Sequence, residues 1–193
     1  MNKRAFTLVE LLIVLAITGM IIALGIPQVK RIFRANLKTA SIQISGVVRF
    51  AYDSSVVKSR IHRIVFDFDK SLYKVEVSNT DELVAIDDLE ESGSKDDQNE
   101  PEKAPQYSPV EGEMGKDRKL PNGVIFDSVE NINTKNKITE GYGYLYFFPQ
   151  GTTENVIIRI KGDKNNTGFY SITVMPVNAK TKIEGRYIEA ERK

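Results

Sequence analysis

A long apolar run holding a single carboxylate constrains this chain more than any other feature. Between Phe6 and Ile26 the only ionisable side chain is Glu10. At about 1.5 Å of rise per residue, a helix over that stretch reaches about 30 Å, the thickness of a bilayer's hydrocarbon core. The chain is therefore predicted to cross a membrane once, with residues 6–27 as the span. A charged side chain near a helix centre costs about 2.5 to 3.5 kcal/mol on insertion, and less near the end where Glu10 sits. A carboxylate snorkelling at the membrane surface is tolerated, but that reading leaves its neighbours unexplained. Lys3 and Arg4 precede a small residue, Ala5, and Phe6-Thr7-Leu8-Val9-Glu10 then opens the apolar helix.

Two other readings compete for these residues. A secretory signal peptide also starts basic and turns apolar, yet this run is longer than an ordinary apolar core and no small-x-small site follows it. An ordinary single-span anchor explains the length but not the placement of Phe6 and Glu10. The arrangement strongly resembles the class III leader of type IV pilins and of the pseudopilins of type II secretion. That resemblance implies cleavage by a prepilin peptidase between Ala5 and Phe6 on the cytoplasmic side. Lys3, Arg4, Ala5 and Phe6 would carry recognition and cleavage, and the new amino group of Phe6 would be methylated. It implies further that Glu10, fifth in the mature chain, faces the amino-terminal charge of a neighbouring subunit during filament assembly, so that two charges costly in lipid neutralise each other. Ala5 stands where the family usually has Gly.

After the span, Val29, Ile32, Phe33, Leu37, Ala40, Ile44, Val47, Val48 and Ala51 recur mostly in steps of three and four, one face of a helix. Lys30, Arg31, Arg34, Lys38 and Gln43 fall largely between them. A single helix is predicted from about Thr7 to about Val57, with residues 28–60 as its amphipathic continuation. A bend is expected at Gly25 and Pro27, because an interior proline removes a hydrogen bond and clashes with the preceding turn. The resemblance implies that residues 25–28 lose helicity in a filament. Counting cations alone, with two in the leader and four soon after the span, would leave the C-terminal part in the cytoplasm. Long domains translocate largely regardless of charge, so the leader decides and the C-terminal domain is expected in the periplasm, anchored by one pass in the inner membrane.

From His62 the period changes to two. Arg63-Ile64-Val65-Phe66-Asp67-Phe68-Asp69 and Leu72-Tyr73-Lys74-Val75-Glu76-Val77 read as a hairpin about a short turn, and later strands are expected at 123–126, 142–148, 156–160, 169–175 and 183–188. The fold class is α+β: a long N-terminal helix packed on an antiparallel sheet, with residues 61–193 forming one β-rich domain. Residues 81–119 are an acidic insertion in which thirteen carboxylates and several prolines leave little to bury, so 90–119 is expected to be a mobile loop. A calcium site is the sharper alternative there, but no spacing resembles an EF-hand loop.

The chain has no cysteine and a net charge of +1, which removes thiol chemistry, disulfides and a global field for nucleic acid. His62, the single histidine, sits at a helix-to-strand junction where a partly exposed ordinary role is expected, and no nucleophile motif, phosphate loop or paired-His spacing accompanies it. No enzyme, cofactor or metal is expected. Beyond the leader, the strand at 64–67, Tyr73 and Phe148-Pro149-Gln150-Gly151 resemble the minor pseudopilin H group, which is grouped with FimT minor pilins. The resemblance implies a structural subunit of the short periplasmic filament of type II secretion. Its partners would be other pilin-like subunits, the prepilin peptidase and the inner-membrane assembly platform. The alternative is a FimT-like minor pilin in pilus assembly or DNA uptake. Gly185-Arg186 begins the Gly-Arg-x-Arg pattern of such proteins, but Ile188 breaks it, and Glu184, Glu189 and Glu191 dilute the nearby cations, so nucleic acid is not expected as a partner.

Overall fold

The computed structural model describes residues 7–79, 106–162 and 168–190, and for residues 23–33 the backbone alone. One helix, α1 (Leu8–Lys58), runs for 51 residues, about 75 Å at standard rise. Thr7 starts it in an extended conformation with its hydroxyl accepting from the Glu10 backbone N–H at 3.3 Å, which satisfies one of the orphan donors of the first turn. Ser59 ends it in the left-handed region, its N–H directed to carbonyls of the last turn, and Lys58 adds a charge favourable to the helix dipole there. The predicted boundaries agree to within a residue. The backbone is helical through Gly25 and Pro27; their side chains lie outside the described residues.

Among the described residues eleven strands follow: β1 (His62–Asp67), β2 (Leu72–Ser78), β3 (Tyr107–Pro109), β4 (Arg118–Lys119), β5 (Val124–Asn131), β6 (Lys137–Ile138), β7 (Tyr142–Phe148), β8 (Thr152–Thr153), β9 (Val156–Gly162), β10 (Phe169–Val174) and β11 (Thr181–Glu184). The predicted hairpin is present, with Asp67 opposite Leu72 and the Asp67 carboxylate accepting from Lys70 N at 2.8 Å in the turn. The strands form two antiparallel sheets where one was expected, in the orders β3-β2-β1-β7-β8, with β4 also on β2, and β11-β10-β9-β5-β6. Alternation marks a strand with one buried face but carries no information on which sheet it joins, and both sheets turn their apolar face to α1. The last expected strand is also shorter: β11 stops at Glu184, and residues 185–190 are irregular.

The core lies where the helix meets both sheets. Leu37, Ala40, Ile44, Val47, Val48 and Ala51 of α1 join Ile64, Phe66, Tyr73, Val75, Leu145 and Phe147 of the first sheet and Val156, Ile158, Ile160, Ile172 and Val174 of the second. Phe126 ties the layers together, its ring centroid 5.3 Å from Phe66, 5.9 Å from Phe68 and 6.2 Å from Tyr73. A register shift between Phe126 and Ser128 lets Phe126 and Val129 both face inward, while Ser128 pairs with Arg159 on the outer face.

The acidic insertion is corrected in its second part. Residues 106–119 are ordered against the edge of β2: Ser108 pairs with Val77, Arg118 with Tyr73, and Val110 and the following Leu120 are buried. A Cβ on Gly115 would stand 1.8 Å from the Val110 carbonyl oxygen, so the short 3-10 turn Glu113–Gly115 closes only with glycine there. These few apolar residues and an unpaired sheet edge outweigh the flanking charge. Residues 80–105, with most of the carboxylates, lie outside the described residues.

Candidate functional site at the start of the helix

The residues expected to direct processing, Lys3, Arg4, Ala5 and Phe6, lie outside the described residues. The described part of the site starts at Thr7, whose carbonyl accepts from Leu11 N at 3.2 Å and whose hydroxyl caps the turn holding Glu10. A carboxylate in the first turn faces the positive end of the helix dipole, a local reason for an acid at this position. The Glu10 side chain is exposed and makes no ion pair among the described residues.

Around it the surface is apolar on every side. Leu8, Val9, Leu11, Leu12, Ile13, Val14, Leu15, Ile17, Met20, Ile21 and Ile22 are all exposed, from 76 % at Leu8 to 53 % at Ile13. A helix apolar all round is at rest in lipid or among other helices, and a continuous patch of this size is far beyond the few hundred Å² that a soluble monomer usually shows. Among the described residues no helix is long and apolar enough to cross a membrane, and the expected span continues into residues 23–27, whose side chains are not described.

His62 is not partly exposed as expected: it is wholly buried, with Nδ1 2.9 Å from the Arg60 carbonyl oxygen and Nε2 without a partner among the described residues. The strand begins one residue earlier than the alternation suggested and turns the ring inward beside Ile64 and Phe66. Burial lowers its pKa, and Lys58 and Arg60 nearby push it the same way.

Two polar clusters on the outer sheet faces escaped the sequence reading. On the first sheet, Arg63 donates to one Glu76 oxygen from Nε at 2.9 Å and Nη2 at 2.7 Å, and its guanidinium lies 3.7 Å from the Tyr107 ring centroid and 4.6 Å from that of Tyr144. Burial, with Tyr146 beside it, pushes the Tyr107 phenol up to about 12. On the second sheet, Arg159 is fully buried, paired with Glu130 at 2.6 Å and donating from Nε to the Ile188 carbonyl at 2.8 Å. Its signal was visible, an arginine inside the apolar run Val156-Ile157-Ile158-Arg159-Ile160. Both arginines are paired internally, with Arg159 Nη2 alone of its nitrogens buried without a partner among the described residues, and the second explains residues 185–190. Ser171 Oγ donates to the Arg186 carbonyl at 2.8 Å and accepts from Ile188 N at 3.1 Å, so this segment straps across the outer face. The Arg186 side chain and Lys182 both bond Glu184, each at 3.1 Å, and Lys182 and then Arg186 hold that carboxyl below its ordinary range.

Residues 1–26 match the prokaryotic N-terminal methylation motif. No curated protein matches the chain. Among solved structures the chain is similar to the minor pseudopilin EpsH from the type 2 secretion system of Vibrio cholerae. The two share 10 % identity, the match covers 78 % of this chain and 97 % of that one, and the TM-score is 0.49.

Proposed function

We propose that this chain is the precursor of a minor pseudopilin, a structural subunit and not an enzyme, that joins a short periplasmic filament and helps drive protein export by type II secretion. The observation that carries this reading is the methylation motif at residues 1–26 leading into an exposed helix that is apolar on all sides and carries one acid, Glu10. In the proposed sequence of events a prepilin peptidase cuts after Ala5 and the amino group of Phe6 is methylated. Residues 6–27 then hold the chain in the inner membrane with the domain of residues 61–193 in the periplasm, and an assembly platform passes the subunit into the filament. There Glu10 meets the amino terminus of a neighbouring subunit, and adjacent helices cover the apolar surface that no part of the described chain covers. The helix is long enough to serve both purposes, since its second half is already packed on the sheets.

Mass spectrometry of the chain extracted from membranes of cells carrying the peptidase tests the first step. The expected product starts at Phe6 and bears one methyl group on its amino nitrogen. Intact chains starting at Met1, with the peptidase present and active on another substrate, would remove the basis of this reading.

A further inference from the structure

A cleft of about 330 Å³ opens between the middle of α1 and the turn joining β10 to β11, lined by Ser45, Arg49, Asn178, Ala179, Lys180 and Thr181. The turn is tightly made. Asn178 and Ala179 both have positive φ, 59° and 46°. The Asn178 side-chain oxygen accepts from Lys180 N at 3.2 Å, and the Lys180 carbonyl accepts from Met175 N at 3.0 Å. Ala179 is part of the core, which seats the turn against the helix.

The chemistry of the walls is one-sided. None of the six lining residues is a carboxylate; two are cations, and Ser45, Thr181 and Asn178 bring donors of their own. The guanidinium of Arg49 donates from Nε to Asp53 at 2.9 Å, in an exposed pair of a kind worth at most about 1 kcal/mol, and lies 5.6 Å from the Tyr52 ring centroid, which leaves its Nη groups for a ligand. The Lys180 side chain is exposed and forms no ion pair among the described residues. Ser45 supplies an independent observation. Thr18, Ser41 and Ser55 on the same helix donate to carbonyls three or four residues back, at 2.7, 2.8 and 2.7 Å, whereas Ser45 Oγ is buried without a partner among the described residues.

We infer that this cleft binds an oxyanion, a carboxylate or phosphate group, held between Arg49 and Lys180 with Ser45 at its floor. The planar fork of an arginine accepts two oxygens of such a group, and a lysine adds a point charge from the facing wall. A cation would meet two like charges, and a neutral ligand would leave the Lys180 charge unanswered. The site lies about 58 Å along the helix axis from Glu10, from 39 residues of standard rise, and stands apart from the leader and its processing.

The test is isothermal titration calorimetry on the full chain in a non-ionic detergent at constant ionic strength, with sodium phosphate, with an end-blocked tetraglutamate peptide, and with sodium chloride as reference. At least one of the two probes is expected to saturate a single site. Affinity should fall about tenfold in Arg49→Gln and in Lys180→Gln and about threefold in Ser45→Ala, with thermal unfolding unchanged in the two exposed-residue variants. Preference for the peptide assigns the oxyanion to the side chains of a partner polypeptide, and preference for phosphate assigns it to a small anion or a headgroup. No saturable heat from either probe, or saturation that the double variant Arg49→Gln/Lys180→Gln leaves intact, overturns the inference.

Discussion

In the second half of α1, Leu37, Ala40, Ile44, Val47, Val48 and Ala51 are buried against two sheets, whereas in the first half the apolar side chains from Leu8 to Ile22 are all exposed. Both halves are helical and both are rich in aliphatic residues, so helix propensity does not separate them. Pattern does. The second half is apolar along one stripe and polar elsewhere, which suits a helix lying on a protein surface; the first is apolar all round, which suits surroundings apolar all round. The helix therefore has one end covered by its own chain and one end that no described part of the chain covers, which is the end the proposed function gives to the bilayer and to neighbouring helices.

The contrast is broken most severely in the packed half. Ile44→Ala should lower unfolding stability by about 2 to 5 kcal/mol, since a fully buried side chain is lost from a site held by helix and sheets. Leu12→Ala, an equal truncation in the exposed half, should change stability by no more than about 0.5 kcal/mol. Denaturant unfolding of the full chain in detergent micelles checks both, and comparable losses would mean that the first half is packed by the chain itself.

Glu10→Ala sharpens the same contrast through assembly. The side chain has no ion pair among the described residues, so the folded domain should be as stable as before and the chain should stay in the membrane. Recovery of the variant with other filament subunits should fall about tenfold or more, because one interhelical charge pairing worth about 1.4 kcal/mol already accounts for that factor. Equal recovery of wild type and variant would remove the proposed role of this carboxylate.

At the point where the packed half hands the chain to the sheets, His62 ties stability to pH. Its folded-state pKa lies below the ordinary 6.5, so the unfolded chain takes up the proton first. The stabilising effect of the neutral ring is complete above about pH 6.5 and is lost as pH falls below it, at up to about 1.4 kcal/mol per pH unit until the folded-state pKa is reached. Unfolding midpoints at pH 7.5, 6.5 and 5.5 should show this drop in the wild type and a smaller one in His62→Gln. A slope unaffected by the substitution would place the titrating group elsewhere.

The helix and its approximate bounds were legible because the evidence for them is local: steps of three and four, and a change of period at His62. The hairpin was legible for the same reason. The division into two sheets was not, because it depends on the partners of β5, β9 and β10, and alternation is the same in either sheet. The ordering of residues 106–119 was hidden by the charge around them, since three short contacts against the edge of β2 leave almost no periodic trace. His62 and Arg159 were misjudged or missed together because burial of a polar group is decided by what packs over it. For Arg159 that is Glu130, Ser128 and the strap at residues 185–190, distant in sequence. At the candidate site itself, Glu10 and the apolar run were plain from the sequence, while the cleft beside Arg49 forms only when the β10–β11 turn folds back onto the helix.

The smallest effect is expected at the far end of the chain, where the alternative of DNA uptake would have to show itself. Lys182 and Arg186 share Glu184, and the backbone beside Arg186 is strapped to Ser171, so this stretch presents little uncompensated charge among the described residues. Affinity for duplex DNA should therefore be weak and mostly gone between about 50 and 200 mM salt, as counterion release dictates for contacts to phosphate alone. Arg186→Ala should change it less than about twofold, because a cation already paired with a carboxylate neutralises little else. Fluorescence anisotropy with a labelled duplex and the full chain in detergent, at both salt concentrations, measures this directly. Tight binding that survives at the higher salt and collapses in Arg186→Ala would mean that the pair with Glu184 opens on contact with DNA. The C-terminal strap would then be a recognition element and not a fastening, and the reading of the chain would move from secretion to uptake.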